Sequence, residues 1–331
     1  MKYRSNRTMH IISIIGPTGV GKTAVALALA TQLIQHKEIV GVDIISADSR
    51  QVYKDIPILS GADVPDGFLP VSSSAYQQQF FVKEQIRLHG VGILAAQDSW
   101  SLGQFQSLFH EVYAQAVQQH RAVIVVGGTT LYHKQLLQTD ARLHVLPNAE
   151  LRAKLATLSL AALQARLSAL NFKYWQTMNN SDRANPRRLV RAIEQTVAAM
   201  QAAPEVKGLA KKSTPKQIFL FVTTPSAVLH ERIAARVQQR FAGGVVAEVQ
   251  RVLQLASVSE QLTSACGFVE IEQYLNKKLP VDECIAQWLA REIRYTKAQY
   301  KWQSQFADAL QLRTETATWR DDLLMLLQSV Y

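Results

Sequence analysis

Cysteine is scarce in this chain: its 331 residues include two, Cys266 and Cys284. Two cysteines cannot build the disulfide framework of a small secreted scaffold. Neither has a Cys or His neighbour at zinc-ligand spacing. They are expected as buried thiols in a reducing compartment. No apolar run approaches the roughly 20 residues that a membrane-spanning helix needs, so no membrane partner is expected. The apolar stretch that follows Lys2, Arg4 and Arg7 is too short for a signal peptide and flows straight into a glycine-rich turn. A cytoplasmic protein is the expectation. Acidic residues are also in deficit, with 26 Asp and Glu against 36 Lys and Arg, a formal charge of +10. That balance favours a polyanionic partner, nucleic acid ahead of membrane, over a merely basic surface. No internal repeat is found.

Against these absences stands a hydrophobic content of 48%, enough for a real core. The length exceeds one average domain, which suits a large α/β domain carrying an insertion. The most specific segment is Gly16-Pro17-Thr18-Gly19-Val20-Gly21-Lys22-Thr23. It fits the phosphate-binding pattern G-x-x-x-x-G-K-[ST] between an apolar strand-like run and a stretch of helix formers. Glycines let the backbone curl so that its N–H groups meet phosphate oxygens, and the following helix start adds partial positive charge. Lys22 supplies a mobile charge to the terminal phosphates, and the Thr23 hydroxyl can ligate Mg²⁺. The pattern predicts a bound di- or triphosphate without choosing between them.

Four near-continuous apolar runs, Ile11–Ile15, Val42–Ile45, Val123–Val126 and Ile218–Val222, predict strands of one parallel sheet buried on both faces. Three are separated by lengths that suit crossover helices. Val91–Ala95 is a weaker fifth candidate. The expected fold is a P-loop NTPase-like α/β sheet flanked by helices, formed by residues 1–140 and 215–331. Residues 141–214 read as a helical insertion, with helices over Leu151–Leu170 and Pro186–Met200 and a polar linker at Ala202–Pro215. The remainder, Ser226–Tyr331, reads as mostly helical, through His230–Phe241, Val245–Leu255, Val281–Trp302 and Thr318–Ser329.

Directly after the second strand comes Ser46-Ala47-Asp48-Ser49-Arg50-Gln51-Val52-Tyr53. Ligands of open parallel sheets sit at the carboxyl ends of strands, so Asp48 should share a crevice with the phosphate loop. There it could hold Mg²⁺ through water, act as a general base, or cap a turn. The third strand ends in Gly127-Gly128-Thr129 without the acidic residue usual in motor-type ATPases.

Taken in order, GPTGVGKT, SADSRQVY and VVGGTTLYHKQLL resemble the tRNA dimethylallyltransferase (isopentenyltransferase) family. NPRRLVRAIE, LHERIAARVQQRF, AEV, CGF and KAQYKW agree in order further on. The resemblance implies a P-loop core with a helical insertion that transfers a dimethylallyl group from dimethylallyl diphosphate to N6 of the adenosine 3′ to the tRNA anticodon. It implies Mg²⁺ as cofactor, no ATP hydrolysis, and a phosphate loop that cradles the diphosphate leaving group. Asp48 would accept the N6 proton while Lys22, Thr23 and the loop amides stabilise the departing charge. Thr129 would line the channel between substrates. Arg232 and Arg236, one helical turn apart, would either close over the diphosphate or form a solvated face. The tRNA anticodon stem-loop would meet Asp48, Ser49, Arg50, Gln51 and Thr129, with Arg152, Arg187, Arg188, Arg191 and Lys297 on phosphates. Arg291, Arg294 and Lys301 extend the basic run, where Tyr295, Tyr300 and Trp302 either stack on bases or pack in the core. A monomer is expected.

Two segments depart from the family pattern. Where the family reads D-I-G-T-A-K-P, this chain has Asp55-Ile56-Pro57-Ile58-Leu59-Ser60-Gly61-Ala62-Asp63. Where it reads H-H-L-(I/L)-D, the chain has Leu88–Leu94, with Asp98 the nearest acid, and the intervening Ser72–Phe81 is unusual in composition. Both bear on the base-binding side. The competing readings are a P-loop kinase of a small metabolite, an enzyme prenylating free AMP, and a catalytically weak RNA-binding relative.

Overall fold

The computed structural model describes residues 10–62, 64–72, 76–138, 140–201 and 215–328. Lys2, Arg4, Arg7, Asp63, residues 73–75 of the Ser72–Phe81 segment, residues 202–214 of the linker and Ser329 lie outside that set. The chain divides into two compact units, one of residues 1–137 and 213–331 and the other of residues 138–212. Among the described residues no helix is long and apolar enough to cross a membrane.

The first unit is built on a mixed sheet. Its strands are β1 (Ile11–Ile15), β2 (Gly41–Ser46), β3 (Leu69–Val71), β4 (Phe80–Lys83), β5 (Ile86–His89), β6 (Arg121–Gly127), β7 (Gln217–Thr223) and β8 (Leu310–Arg313), in the order β3-β4-β5-β2-β6-β1-β7-β8. The four anticipated strands are its central members and pair in parallel. Every residue of β1, β2 and β6 is buried, as their unbroken apolar runs require. Helices Lys22–Ile34 and Leu102–Gln118 pack on β2 and β6. The second is started by a capping box in which Ser101 and Gln104 each satisfy the other's backbone N–H.

The expectation of an all-parallel sheet is corrected at one edge, where β3, β4 and β5 pair antiparallel. Nor does Val91–Ala95 form the fifth strand. That role falls to β5 just upstream, because Gly90 and Gly92 take left-handed backbone angles (φ 78° and 61°) that end it. Leu94 keeps a single bridge to Tyr53. The C-terminal region is not purely helical either, since β8 joins the sheet beside β7.

Under the sheet, Asp43 on β2 is fully buried between His89 on β5 and Arg121 on β6. Its carboxylate accepts from Arg121 Nε at 2.8 Å and meets His89 Nε2 at 2.9 Å. Arg121 also donates to the Val42 and Gln85 carbonyls. Burial alone would raise the Asp43 pKa, but His89 and Arg121 more than offset it and hold the group below the usual carboxylate range.

The second unit has its own apolar core of Leu155, Leu163, Leu167, Met178, Leu189, Ala192 and Ile193. The single helix expected over Leu151–Leu170 is two, Ala149–Ala156 and Leu160–Leu170. The break falls where the Ser159 hydroxyl caps the second helix by accepting from the Ala162 amide.

Breaking the Asp43 cluster by Arg121→Met should destabilise the first unit by about 3–5 kcal/mol, the usual cost of stranding a buried charge. Urea unfolding of parent and variant checks this. Because the Asp43 pKa is depressed, its contribution is present above the unfolded aspartate pKa and is lost as pH falls through the folded value.

Candidate active site

Sheet register levels the carboxyl ends of three strands: Ile15 of β1 lies beside Gly127 of β6, and Ser46 of β2 beside Val126. The phosphate loop leaves β1 and the Asp48 turn leaves β2, so both open at the same edge with β6 between them. They line one cavity of about 640 Å³. Two close approaches fix this geometry. A Cβ on Gly16 would sit 2.3 Å from the Val222 carbonyl oxygen, and one on Gly127 2.2 Å from the Ala47 carbonyl oxygen. Only glycine fits at either point.

Within the phosphate loop, Thr18, Gly19, Gly21, Lys22 and Thr23 line the cavity, while Gly16, Pro17 and Val20 form its backing. Gly21 (φ 91°) begins the helix Lys22–Ile34, so Lys22 and Thr23 stand at a helix N-terminus. Lys22 Nζ donates to the Pro17 carbonyl at 2.7 Å. Burial lowers its pKa to about 8, Asp48 opposing that shift and Arg236 reinforcing it.

Asp48 lies at the cavity wall, with Oδ1 accepting from the amides of Arg50 (2.8 Å) and Gln51 (3.4 Å). Asp48 thus caps the turn, as one expectation had it, and is also a lining residue of the cavity. Arg50 and Gln51 also line the cavity. Ser49 and Thr129 do not, which revises the placement of Thr129 as a channel residue. The Thr129 hydroxyl instead accepts from the Ser49 amide at 3.3 Å and braces the Asp48 turn from behind.

The arginine pair is corrected by one helical turn. Arg236 lines the cavity, but Arg232 is turned to Thr314, whose hydroxyl donates to the Val20 carbonyl behind the loop. The cavity-facing row on helix Ser226–Ala242 is Arg236 and Arg240, four residues apart. Buried Glu292 on helix Val281–Tyr300 holds both, at 3.2 Å and 3.6 Å. Arg291, Arg294 and Tyr295 of the same helix line the cavity, with Arg291 paired to Glu270. Lys297 is exposed and does not reach it. Tyr300 bonds the Thr224 carbonyl instead of facing ligand.

Arg240 and Glu292 escaped the sequence reading, though the i, i+4 spacing from Arg236 was a usable signal. Leu59, Gly61 and Ala62 of the divergent turn form part of the wall, joined by Phe68, Leu88 and Val91. The turn is held by Glu248, which accepts from the Ile58 and Leu59 amides at 3.0 and 2.8 Å. Arg240 donates to the Leu59 carbonyl, and Gln51 donates to the Gly61 carbonyl.

The insertion's basic residues have divided roles. Buried Glu194 accepts two hydrogen bonds from Arg152, at 2.7 and 2.9 Å, and one from Arg191 at 3.4 Å. Arg191 also caps the Val145 carbonyl. Arg152 and Arg191, both expected on RNA phosphates, are thus engaged as structural clamps within this unit. Arg187 and Arg188 are exposed, and Arg188 pairs with Asp182.

Comparison with known proteins identifies the family. Residues 71–305 match the family model described as IPP transferase. The tRNA dimethylallyltransferase of Thermomicrobium roseum is 30% identical over 304 residues, covering 90% of this chain and 84% of that protein. The tRNA dimethylallyltransferase of Treponema pallidum is 30% identical over 306 residues, covering 90% and 88%. Two solved structures share the fold. The tRNA isopentenylpyrophosphate transferase of Bacillus halodurans has a TM-score of 0.65 at 22% identity and covers 97% of this chain and 95% of its own. A eukaryotic dimethylallyltransferase acting on tRNA has a TM-score of 0.68 at 20% identity, covering 92% and 74%. With the phosphate loop and Asp48 at one cavity and the family match running through most of the chain, this protein belongs to the IPP transferase family.

Proposed function

We propose that the protein transfers a dimethylallyl group from dimethylallyl diphosphate to N6 of the adenosine 3′-adjacent to a tRNA anticodon. The observation that carries this reading is a phosphate cradle and a carboxylate sharing one cavity across the width of a single strand. The diphosphate lies in the loop against Lys22, with Arg236 and Arg240 closing from the opposite side. The adenine, turned out of its stack, presents N6 to Asp48. As the N6–C1 bond forms and the C1–O bond breaks, Asp48 takes the N6 proton and diphosphate leaves with its charge compensated by Lys22, the arginines and the loop amides.

Among the described residues no group of three His, Cys, Asp or Glu forms a metal cage. A hard cation would therefore depend on the diphosphate's own oxygens, which suits Mg²⁺. Thr23, which lines the cavity at the helix start, would hold it, and bound there it would neutralise leaving-group charge. The insertion supplies phosphate contacts through its exposed arginines.

The defining experiment incubates the enzyme with labelled dimethylallyl diphosphate, Mg²⁺ and either unmodified tRNA or free AMP. N6-prenyladenosine in tRNA alone supports the proposal. Transfer to AMP alone, or ATP turnover without RNA, overturns it.

Asp48→Asn should slow single-turnover transfer by about 10²–10⁴-fold while diphosphate affinity stays close to the parent's. A rate within about tenfold of the parent would remove Asp48 from the base role.

Lys22 is charged below about pH 8 in the free enzyme. Bound diphosphate favours the ammonium, so affinity should be full below that pH. Above it, binding takes up a proton and weakens by up to about tenfold per pH unit. Calorimetric titration of inorganic diphosphate between neutral and alkaline pH should show this in the parent. Lys22→Met should lose that component while the ligand's own ionisation remains.

Arg187→Ala should flatten the log–log salt dependence of tRNA binding by roughly 0.7–0.9, the share of one phosphate. Arg191→Ala should chiefly loosen the insertion's fold, seen as a lower melting temperature, because it removes the cap on the Val145 carbonyl and one of the two arginines that hold buried Glu194. Filter binding across salt, paired with thermal melts, separates the two.

A further inference from the structure

Behind the cavity, one buried side chain joins both of its walls. Gln299, the penultimate residue of helix Val281–Tyr300, is 6% exposed. Its Oε1 accepts from the Thr18 amide of the phosphate loop at 2.8 Å, and its Nε2 donates to the Gly128 carbonyl after β6 at 3.3 Å. Gly128 meets it at close quarters, since a Cβ there would lie 2.5 Å from Gln299 Nε2. The next residue, Thr129, donates its amide to the Ala47 carbonyl and accepts from the Ser49 amide, the two residues flanking Asp48. A continuous path of hydrogen bonds thus runs from the phosphate loop through Gln299 and the Gly128-Thr129 turn to the Asp48 turn.

We propose that Gln299 is a positioning residue for prenyl transfer, clasping the phosphate loop to the Gly128–Thr129 turn so that the diphosphate and the Asp48 carboxylate are held at reacting distance. This rests on the function proposed above. A primary amide suits the task because one wall offers a donor and the other an acceptor, and Gln supplies the complementary pair on one planar group. Gln299 is buried, its bond to Gly128 fully and its bond to Thr18 partly, so losing either leaves a backbone group poorly satisfied or shifts the walls to find another partner. The effect should appear in the chemical step, where a displacement of about 1 Å costs on the order of 10²-fold.

The test is single-turnover transfer to unmodified tRNA, alongside separate affinities for inorganic diphosphate and for tRNA. Gln299→Met keeps the length but removes both hydrogen bonds. Transfer slowed by about 10–10²-fold, with both affinities within about threefold of the parent, supports the proposal. A rate within about threefold of the parent overturns it, and so does a loss confined to diphosphate affinity, which would make Gln299 part of the cradle. Should Gln299→Met fail to fold, Gly128→Ala gives a second approach by pushing a methyl against the Gln299 amide. It should slow transfer in the parent and cost little more in Gln299→Ala, where the obstacle is gone, whereas additive losses overturn the proposal. No transfer by the parent enzyme overturns the underlying reading and this inference with it.

Discussion

One strand's width governs the active site. β6 lies between β1 and β2, and the register brings all three to the same level at their carboxyl ends. With neighbouring strands about 4.7–4.9 Å apart, the phosphate loop and the Asp48 turn start roughly 9–10 Å from each other. That interval must hold the bond being broken and the bond being formed. Gly127, the last residue of β6, and Gly128 just after it keep it open, each pressed by a neighbour that would collide with a side chain. The rest of the first unit, including the buried Asp43 cluster that ties β5, β2 and β6 together, keeps that interval constant.

Charge in this protein is arranged by buried acids. Glu292 aims Arg236 and Arg240, Glu270 holds Arg291, and in the insertion Glu194 fixes Arg152 and Arg191. An arginine held this way has lost its rotamer freedom before any ligand arrives, so less entropy is lost on binding. Formal charge alone therefore overstates what is available to RNA, because some of the most basic stretches serve the fold. Lys22 shows the complementary effect: crowding and burial weaken its hold on a proton until a phosphate occupies the cradle.

The phosphate loop, the Asp48 turn and the central strands were legible because each rests on local chemistry. Glycine spacing dictates the loop, and unbroken apolar runs dictate strands covered on both faces. β5 and β8 are short, mixed in polarity and near a sheet edge, so nothing in their composition separates them from loop. The choice between Arg232 and Arg240 as partner of Arg236 depends on how helix Ser226–Ala242 is rotated against its neighbours, and periodicity offers both. Thr129 sits where a ligand contact was reasonable, but its hydroxyl is engaged by the Ser49 amide. The break at Ser159 was hidden because the hydrophobic spacing continues across it.

The divergent turn at residues 57–62 is gripped by its main chain as well as by the burial of Leu59 and Ala62 in the core. Glu248 takes two amides, Arg240 and Gln51 take one carbonyl each, and the partners all lie outside the turn. An anchorage that reads peptide groups is indifferent to the side chains those groups carry. Ile58 and Ser60 can therefore change without releasing the turn, whereas Gly61, with φ 63° and Arg240 against it, and the buried Leu59 and Ala62 are fixed by their surroundings. Such a segment lets the wall vary at a few positions while the contacts that seat Arg240 stay as they are.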